Sequence, residues 1–344
     1  MPSRTTKFEC GLLLLVLSCA FAPLPRAWAA SCSTQSQMTP IQRVTLSNAA
    51  RDTLLQMQSG NILALRANTI PSVSADFDGI AASINDLKPL LQGATLTVNE
   101  VYILDASGMV STGQVEFFCG SPVVTLNFSA LPPGVYGMAI LHATGVQQPQ
   151  QVSLMLSKAG ESKWMLAGFF RKPMVEAGHD GLWYWESARK YAQTKMDWDA
   201  WIYYQQAINI LDPVDFLSSS NLGKLRQEAD QVHPAAFPGT KPLTLSANGA
   251  VFTVTGIDTS TAFGGLDLDV HYNPDAAEAA QLHNPPAARK QVTDVMTALL
   301  AQHPELHGAF HGIWVHADQG GSSLFALELP MNGISADAVN PSSR

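Results

Sequence analysis

An apolar run from Gly11 to Ala22 follows the basic residues Arg4 and Lys7, and Pro23-Leu24-Pro25-Arg26 separates it from Ala27-Trp28-Ala29. The run is too short to cross about 30 Å of hydrocarbon at about 1.5 Å per residue. Small residues two apart mark a cleavage site. Residues 1–29 therefore read as a secretory signal peptide, and the chain that follows is expected to be exported, to a periplasm or to the extracellular medium. A rival address uses Val16-Leu17-Ser18-Cys19 as a lipoprotein box with Cys19 as the anchor; the long proline-containing stretch up to Ala29 favours ordinary cleavage. No later run approaches the length of a membrane span, so none is expected in the mature chain.

Export changes what the cysteines mean. Cleavage leaves Cys32 and Cys119, and an even pair in an exported chain reads as one disulfide. Closing so long a loop is worth roughly 4–5 kcal/mol on chain-entropy grounds. Neither a CxxC nor a Cys/His zinc spacing is present. With 46% hydrophobic and 14% charged residues, the chain can bury real cores. A net charge of −8 is the wrong sign for a general nucleic-acid binder, whose affinity comes from Lys and Arg.

Residues 30–173 form the first block. Thr39-Pro40-Ile41-Gln42 reads as a capping box with proline at the first helical position. A second helix is predicted from Asp76 to Leu91, with Ile80, Ile84, Leu87 and Leu91 on one stripe. The period then changes to two, which predicts a curved antiparallel sheet from Leu96 to Arg171. Leu54 to Asn61, then Leu65 and Thr69-Ile70-Pro71, resemble the helical opening of the nuclear transport factor 2-like superfamily. Val152 to Leu156 and Lys163 to Phe170 are similar to that superfamily's last hairpin. The resemblance implies a cone-shaped cavity but no particular activity. His142 is the block's histidine, and its place in a predicted strand suits a core or rim role better than catalysis.

Residues 174–232 form a helical block crowded with aromatics. Tyr184, Ala188 and Tyr191 fall on one helix, and Ala200, Tyr204 and Ala207 on the next, with Pro213 after it. Residues 184–213 resemble a single tetratricopeptide repeat, in which large and small residues interlock two antiparallel helices. Ser187 and Ala188 depart from the Leu and Gly of that family. Packing accounts for most of these rings, but Trp183, Trp185, Trp198 and Trp201 are left over. They could form an aromatic platform for a sugar or peptide.

After a Pro/Gly-rich linker, residues 233–331 read as a two-layer α+β domain. Asn248-Gly249 predicts a hairpin turn. A helix is predicted from Ala287 to Gln302, and strands from Gly265 to Tyr272, Gly312 to Ala317 and Leu324 to Leu329. Residues 332–344 read as a flexible tail. The overall class is α+β.

No nucleophile elbow, zinc-protease helix, phosphate loop or dinucleotide fingerprint is present, and no cofactor is expected. Two groups carry metal-ligand chemistry: His303, His307, His311 and His316 within a short stretch, and Asp267, Asp269 and His271 on one strand face. Pro304 and Gly308 argue against one continuous helix through the histidines. A solvated sheet face explains the strand residues without an ion. The sequence thus points to an exported, non-catalytic binding or interaction protein, with an envelope protein or a small ligand as partner. The alternative is a hydrolase or metal-binding protein that uses the first block's cavity or the C-terminal His/Asp cluster.

Overall fold

The structure, a computed structural model, describes residues 30–120 and 124–334. The signal peptide, Cys19 and residues 335–344 of the expected tail lie outside the described residues. The first block opens with strand β1 (Ser31–Thr34), then helices α1 (Pro40–Ser59), α2 (Ile62–Ala67), α3 (Pro71–Ser74) and α4 (Asp78–Leu91). Thr39 and Gln42 form the reciprocal capping box, and Gly60 ends α1 in the left-handed conformation (φ 71°) that a residue without Cβ adopts freely. Strands β2 (Thr95–Asp105), β3 (Gly113–Cys119), β4 (Val124–Leu131), β5 (Val135–Thr144), β6 (Gln150–Ala159) and β7 (Lys163–Pro173) follow.

These strands do not form one sheet. Five pair in the order β1-β2-β5-β6-β7, while β3 and β4 leave them and pair with β10 (Leu217–Ser219), contributed by the next block. The separation has a packing cause. Val115, Phe117, Cys119 and Leu126 are buried with Tyr102, Leu104, Met138, Ile140 and Met155, so the smaller sheet covers the larger one's second face. The first face is covered by α1 and α4, whose Leu46, Leu54, Met57, Leu87 and Leu91 meet Ala139, Leu141, Val152 and Leu154. Both faces of the main sheet thus carry buried apolar side chains, while recesses remain beside Glu100 and Tyr102. The Cys32–Cys119 disulfide joins β1 to the end of β3, across the two sheets.

The helical block enters through a short ladder of β8 (Val175–Glu176) with β9 (His179–Asp180) and contains α5 (Gly181–Gln193), α6 (Asp197–Leu211) and α7 (Ser220–Val232). Ala188, Ala200 and Ala207 are fully buried, and these small side chains let α5 and α6 approach closely. Trp198, Ile202, Tyr203, Tyr204 and Ile210 are also buried, so α6 is enclosed on most of its circumference. One continuous core runs from the first block through α6 into the last. At the junctions the Tyr184 hydroxyl donates to the carbonyl of Glu176 (2.9 Å), and the Tyr203 hydroxyl donates to the carbonyl of Ala309 (2.7 Å).

The last block is a five-stranded sheet in the order β11 (Leu243–Ala247), β12 (Ala250–Ser260), β13 (Asp267–Asn273), β14 (Gly312–Gln319), β15 (Ser322–Pro330). Asn248 and Gly249 both take positive φ, as a type I′ hairpin turn requires. All pairings are antiparallel except β13 with β14. The parallel pair is linked by α8 (Ala276–Gln281), α9 (Pro285–Gln302) and α10 (Leu306–Ala309). Val292, Val295, Met296 and Leu299 of α9 join the core with Leu268, Val270, Tyr272, Ile313 and Val315. At the C-terminal end the chain stays packed for longer than expected. Met331–Gly333 form a 3-10 turn, and Met331 and Ile334 are buried in the core.

Two outcomes follow from this architecture. Replacing Cys32 and Cys119 with serine is expected to lower unfolding free energy by about 2–5 kcal/mol, read by urea titration. A second outcome concerns Asp199 in the first turn of α6, which is fully buried with both carboxylate oxygens unpartnered. Desolvation, reinforced by the charge of Glu305, pushes its carboxyl up to about 7. The folded state then holds this proton more tightly than the unfolded chain, so stability falls as pH rises from about 4 through about 7. Asp199→Asn is expected to make the fall in Tm between about pH 5 and pH 8 shallower, as calorimetry would show.

Candidate metal centre

β13 alternates strictly. Leu268, Val270 and Tyr272 are buried on the face that α9 covers, which turns Asp267, Asp269 and His271 to the other. β14 does the same, with Ile313, Val315 and Ala317 inward and Gly312, Trp314, His316 and Asp318 on the polar face. The parallel register sets Asp269 beside Trp314 and His271 beside His316, and the next pairing sets Trp314 beside Glu328 of β15.

Asp269, His271 and His316 converge, with one ligand atom of each within 4.8 Å of the others. His271 Nε2 lies 3.4 Å and His316 Nε2 lies 3.1 Å from the same Asp269 Oδ1. The rings of His271 and His316 are stacked, with centroids 4.7 Å apart and planes 14° from parallel. Asp318 Oδ2 holds His271 Nδ1 at 2.6 Å, which fixes the ring and leaves Nε2 for the cluster. His316 Nε2 and Asp269 Oδ1 are both buried and neither makes a hydrogen bond, so their approach is close but poorly aligned. Two imidazole nitrogens and a carboxylate oxygen facing one point, with a carboxylate behind one imidazole, are a donor set suited to zinc, copper or a similar divalent ion.

A second group lies one step along β13. Asp267, His311 and Glu328 also bring one ligand atom each within 4.8 Å of the others. His311 Nδ1 is 2.8 Å from Asp267 Oδ1. Burial, reinforced by the Asp267 charge, raises the Glu328 carboxyl above its ordinary value. On β12, Asp258 pairs with Asp269 and is likewise raised, by burial first and by Asp269 second. Carboxylates thus outnumber imidazoles on this face.

The structure brings together Asp269, His271 and His316 in one group, and Asp267 and His311 in the other. His307, on the short α10, belongs to neither, and His303 packs tilted against Trp198 with centroids 3.8 Å apart. The helix-like spacing of His303, His307 and His311 is broken because α10 ends at Ala309. The solvated face expected for the β13 residues is only partial: Asp267 has no exposed surface at all. Asp318 and Glu328 were not among the sequence candidates. Alternation along β14 would have put Asp318 on the face of His316, but its reach to His271 depends on strand register.

Each leftover tryptophan packs against protein groups, with Trp198 and Trp201 both on Phe237. Trp183 is stacked on His179 at 3.5 Å, and Arg189 covers Trp185, whose Nε1 donates to Glu228. Trp198 is buried between Phe237 and His303, and Trp201 packs edge-on against His233. In the first block, His142 Nε2 sits 3.3 Å from Gln151 Oε1 on the neighbouring strand. A recess of about 280 Å³ lies between this block and the helices, lined by Glu100, Tyr102, Gln151, Trp185 and Leu211. The Tyr102 hydroxyl donates to Glu100 there.

No family model matches this sequence, and no curated protein and no solved structure matches it.

Close packing also holds His311 in place. A Cβ on Gly265 would collide with the Cβ and ring of His311. Gly265→Ala is therefore expected to cost about 1–3 kcal/mol of stability, measured by urea unfolding, because neither backbone can shift without disturbing the β13 pairing.

Proposed function

We propose that this chain is an exported, non-catalytic binding protein of the periplasm or extracellular space, and that its ligand is a divalent transition-metal ion held by Asp269, His271 and His316. One observation carries the metal reading. The Asp318 carboxylate anchors His271 through Nδ1, while His316 Nε2 and Asp269 Oδ1 lie buried 3.1 Å apart with no hydrogen bond made by either. Buried polar atoms without partners are uncommon, and an ion that satisfies all of them explains their convergence. Export is supported by the leader-like N-terminus and by the Cys32–Cys119 disulfide. No described helix is long and apolar enough to cross a membrane.

The two resemblances enter the proposal as scaffolding. Helices α1 and α4 laid on the five-stranded sheet support a nuclear transport factor 2-like first block. The interlocked α5 and α6 support a single tetratricopeptide-like hairpin that serves as a post between the flanking blocks.

Isothermal titration of tag-free, chelator-treated protein with zinc tests the reading. Binding is expected to be lost in His316→Ala and weakened about 10–100-fold in Asp318→Asn, which leaves all three ligands in place but frees the His271 ring. Zinc affinity that ignores both substitutions would refute it.

A further inference from the structure

Gly312 is the reason two carboxylates meet on this sheet. It occupies the polar face of β14 between Asp267 of β13 and Glu328 of β15, and it has no side chain to separate them. A Cβ there would stand 2.7 Å from Glu328 Oε1, 2.8 Å from Asp267 Oδ1 and 2.7 Å from the carbonyl of Leu329. The next residue on that face of β14 is the bulky Trp314, which pairs with both Asp269 and Glu328. The face is therefore divided, with a gap over Gly312 on one side of the indole and the two-histidine group on the other.

Asp267 is fully buried, and it is turned into this gap. Its Oδ1 is held by His311, and its Oδ2 has no hydrogen-bond partner. Glu328 Oε1 is buried and unpartnered as well. Two carboxylates this close, each with one buried oxygen lacking a partner, are costly unless a positive charge lies near them. His311 supplies a nitrogen within the same 4.8 Å limit.

We propose that Asp267, Glu328 and His311 form a second divalent-cation site, distinct from the one at Asp269 and not dependent on it. Its donors differ from those of the first. One imidazole with two carboxylates favours an oxygen-preferring ion such as Mn²⁺, whereas two imidazoles with one carboxylate favour zinc or copper. The two groups lie side by side on β13, separated by a two-residue strand step of about 7 Å. The sheet face would then carry two ions of different preference in a fixed relation.

Electron paramagnetic resonance of free Mn²⁺, titrated against the full-length, chelator-treated protein, tests this directly. One equivalent of protein is expected to remove about one equivalent of the free Mn²⁺ signal. Glu328→Gln, which keeps size and fold, should weaken this uptake at least tenfold. His316→Ala should leave it unchanged, and Asp267→Asn, scored only with a native circular dichroism spectrum, should match Glu328→Gln. A free Mn²⁺ signal undiminished by protein would overturn the second site, and would mean the carboxylates share a proton instead. Uptake abolished by His316→Ala but insensitive to Glu328→Gln would overturn it too, by assigning the ion to the first group. Zinc titration separates the two proposals. Zinc binding lost in His316→Ala without Mn²⁺ uptake keeps the first and removes the second; Mn²⁺ uptake sensitive only to Glu328→Gln, without zinc binding, does the reverse.

Discussion

Parallel pairing of β13 with β14 forces the chain to cross the sheet between them, because parallel neighbours cannot be joined by a tight turn. The crossing segment is α8–α9–α10, and α9 lays its apolar stripe on one face of the sheet. That coverage fixes which side of each strand is buried. With Leu268, Val270 and Tyr272 committed to the core, Asp267, Asp269 and His271 have no choice but the opposite face. A one-residue slip would bury all three under α9, so the hydrophobic pattern guards the register that assembles the two His/carboxylate groups. The geometry of the site is thus a by-product of a strongly specified core.

The same logic explains why the molecule coheres. The first block's main sheet has two apolar faces, one covered by α1 and α4 and the other by β3, β4 and β10. Because β10 comes from the chain beyond the helical hairpin, the second face cannot be completed without the second block. α6 in turn is enclosed by both neighbours and reaches the last block through Tyr203 and Trp198. The aromatics that crowd residues 183–204 hold these junctions, with Trp183, Tyr184 and Tyr191 gathered on Tyr203 and with Trp198 and Trp201 on Phe237.

Much of this was legible locally. The Thr39–Gln42 cap, the strand Val135–Thr144, the Asn248-Gly249 turn and the α9 stripe all follow from short-range chemistry that tertiary contacts did not override. What local pattern could not show was partnership. β1 and β10 have four and three residues, too few for a period to register. The departure of β3 and β4 from the main sheet depends on β10. Asp269, His271 and His316 were candidates by type, but their union rests on a parallel register that no alternation pattern encodes. Glu328 lay within an expected strand, yet its reach to Asp267 depends on the missing side chain of Gly312 one strand away. His307 looked equal to its neighbours in spacing and was separated from them by the end of α10 at Ala309.

The most direct measurement is anomalous X-ray scattering at the zinc absorption edge from crystals of the protein grown with zinc. The account predicts a peak about 2.0–2.2 Å from His271 Nε2, His316 Nε2 and an oxygen of Asp269, with Asp318 still on His271 Nδ1. Crystals that show those side chains well ordered, with no anomalous density among them, would contradict it.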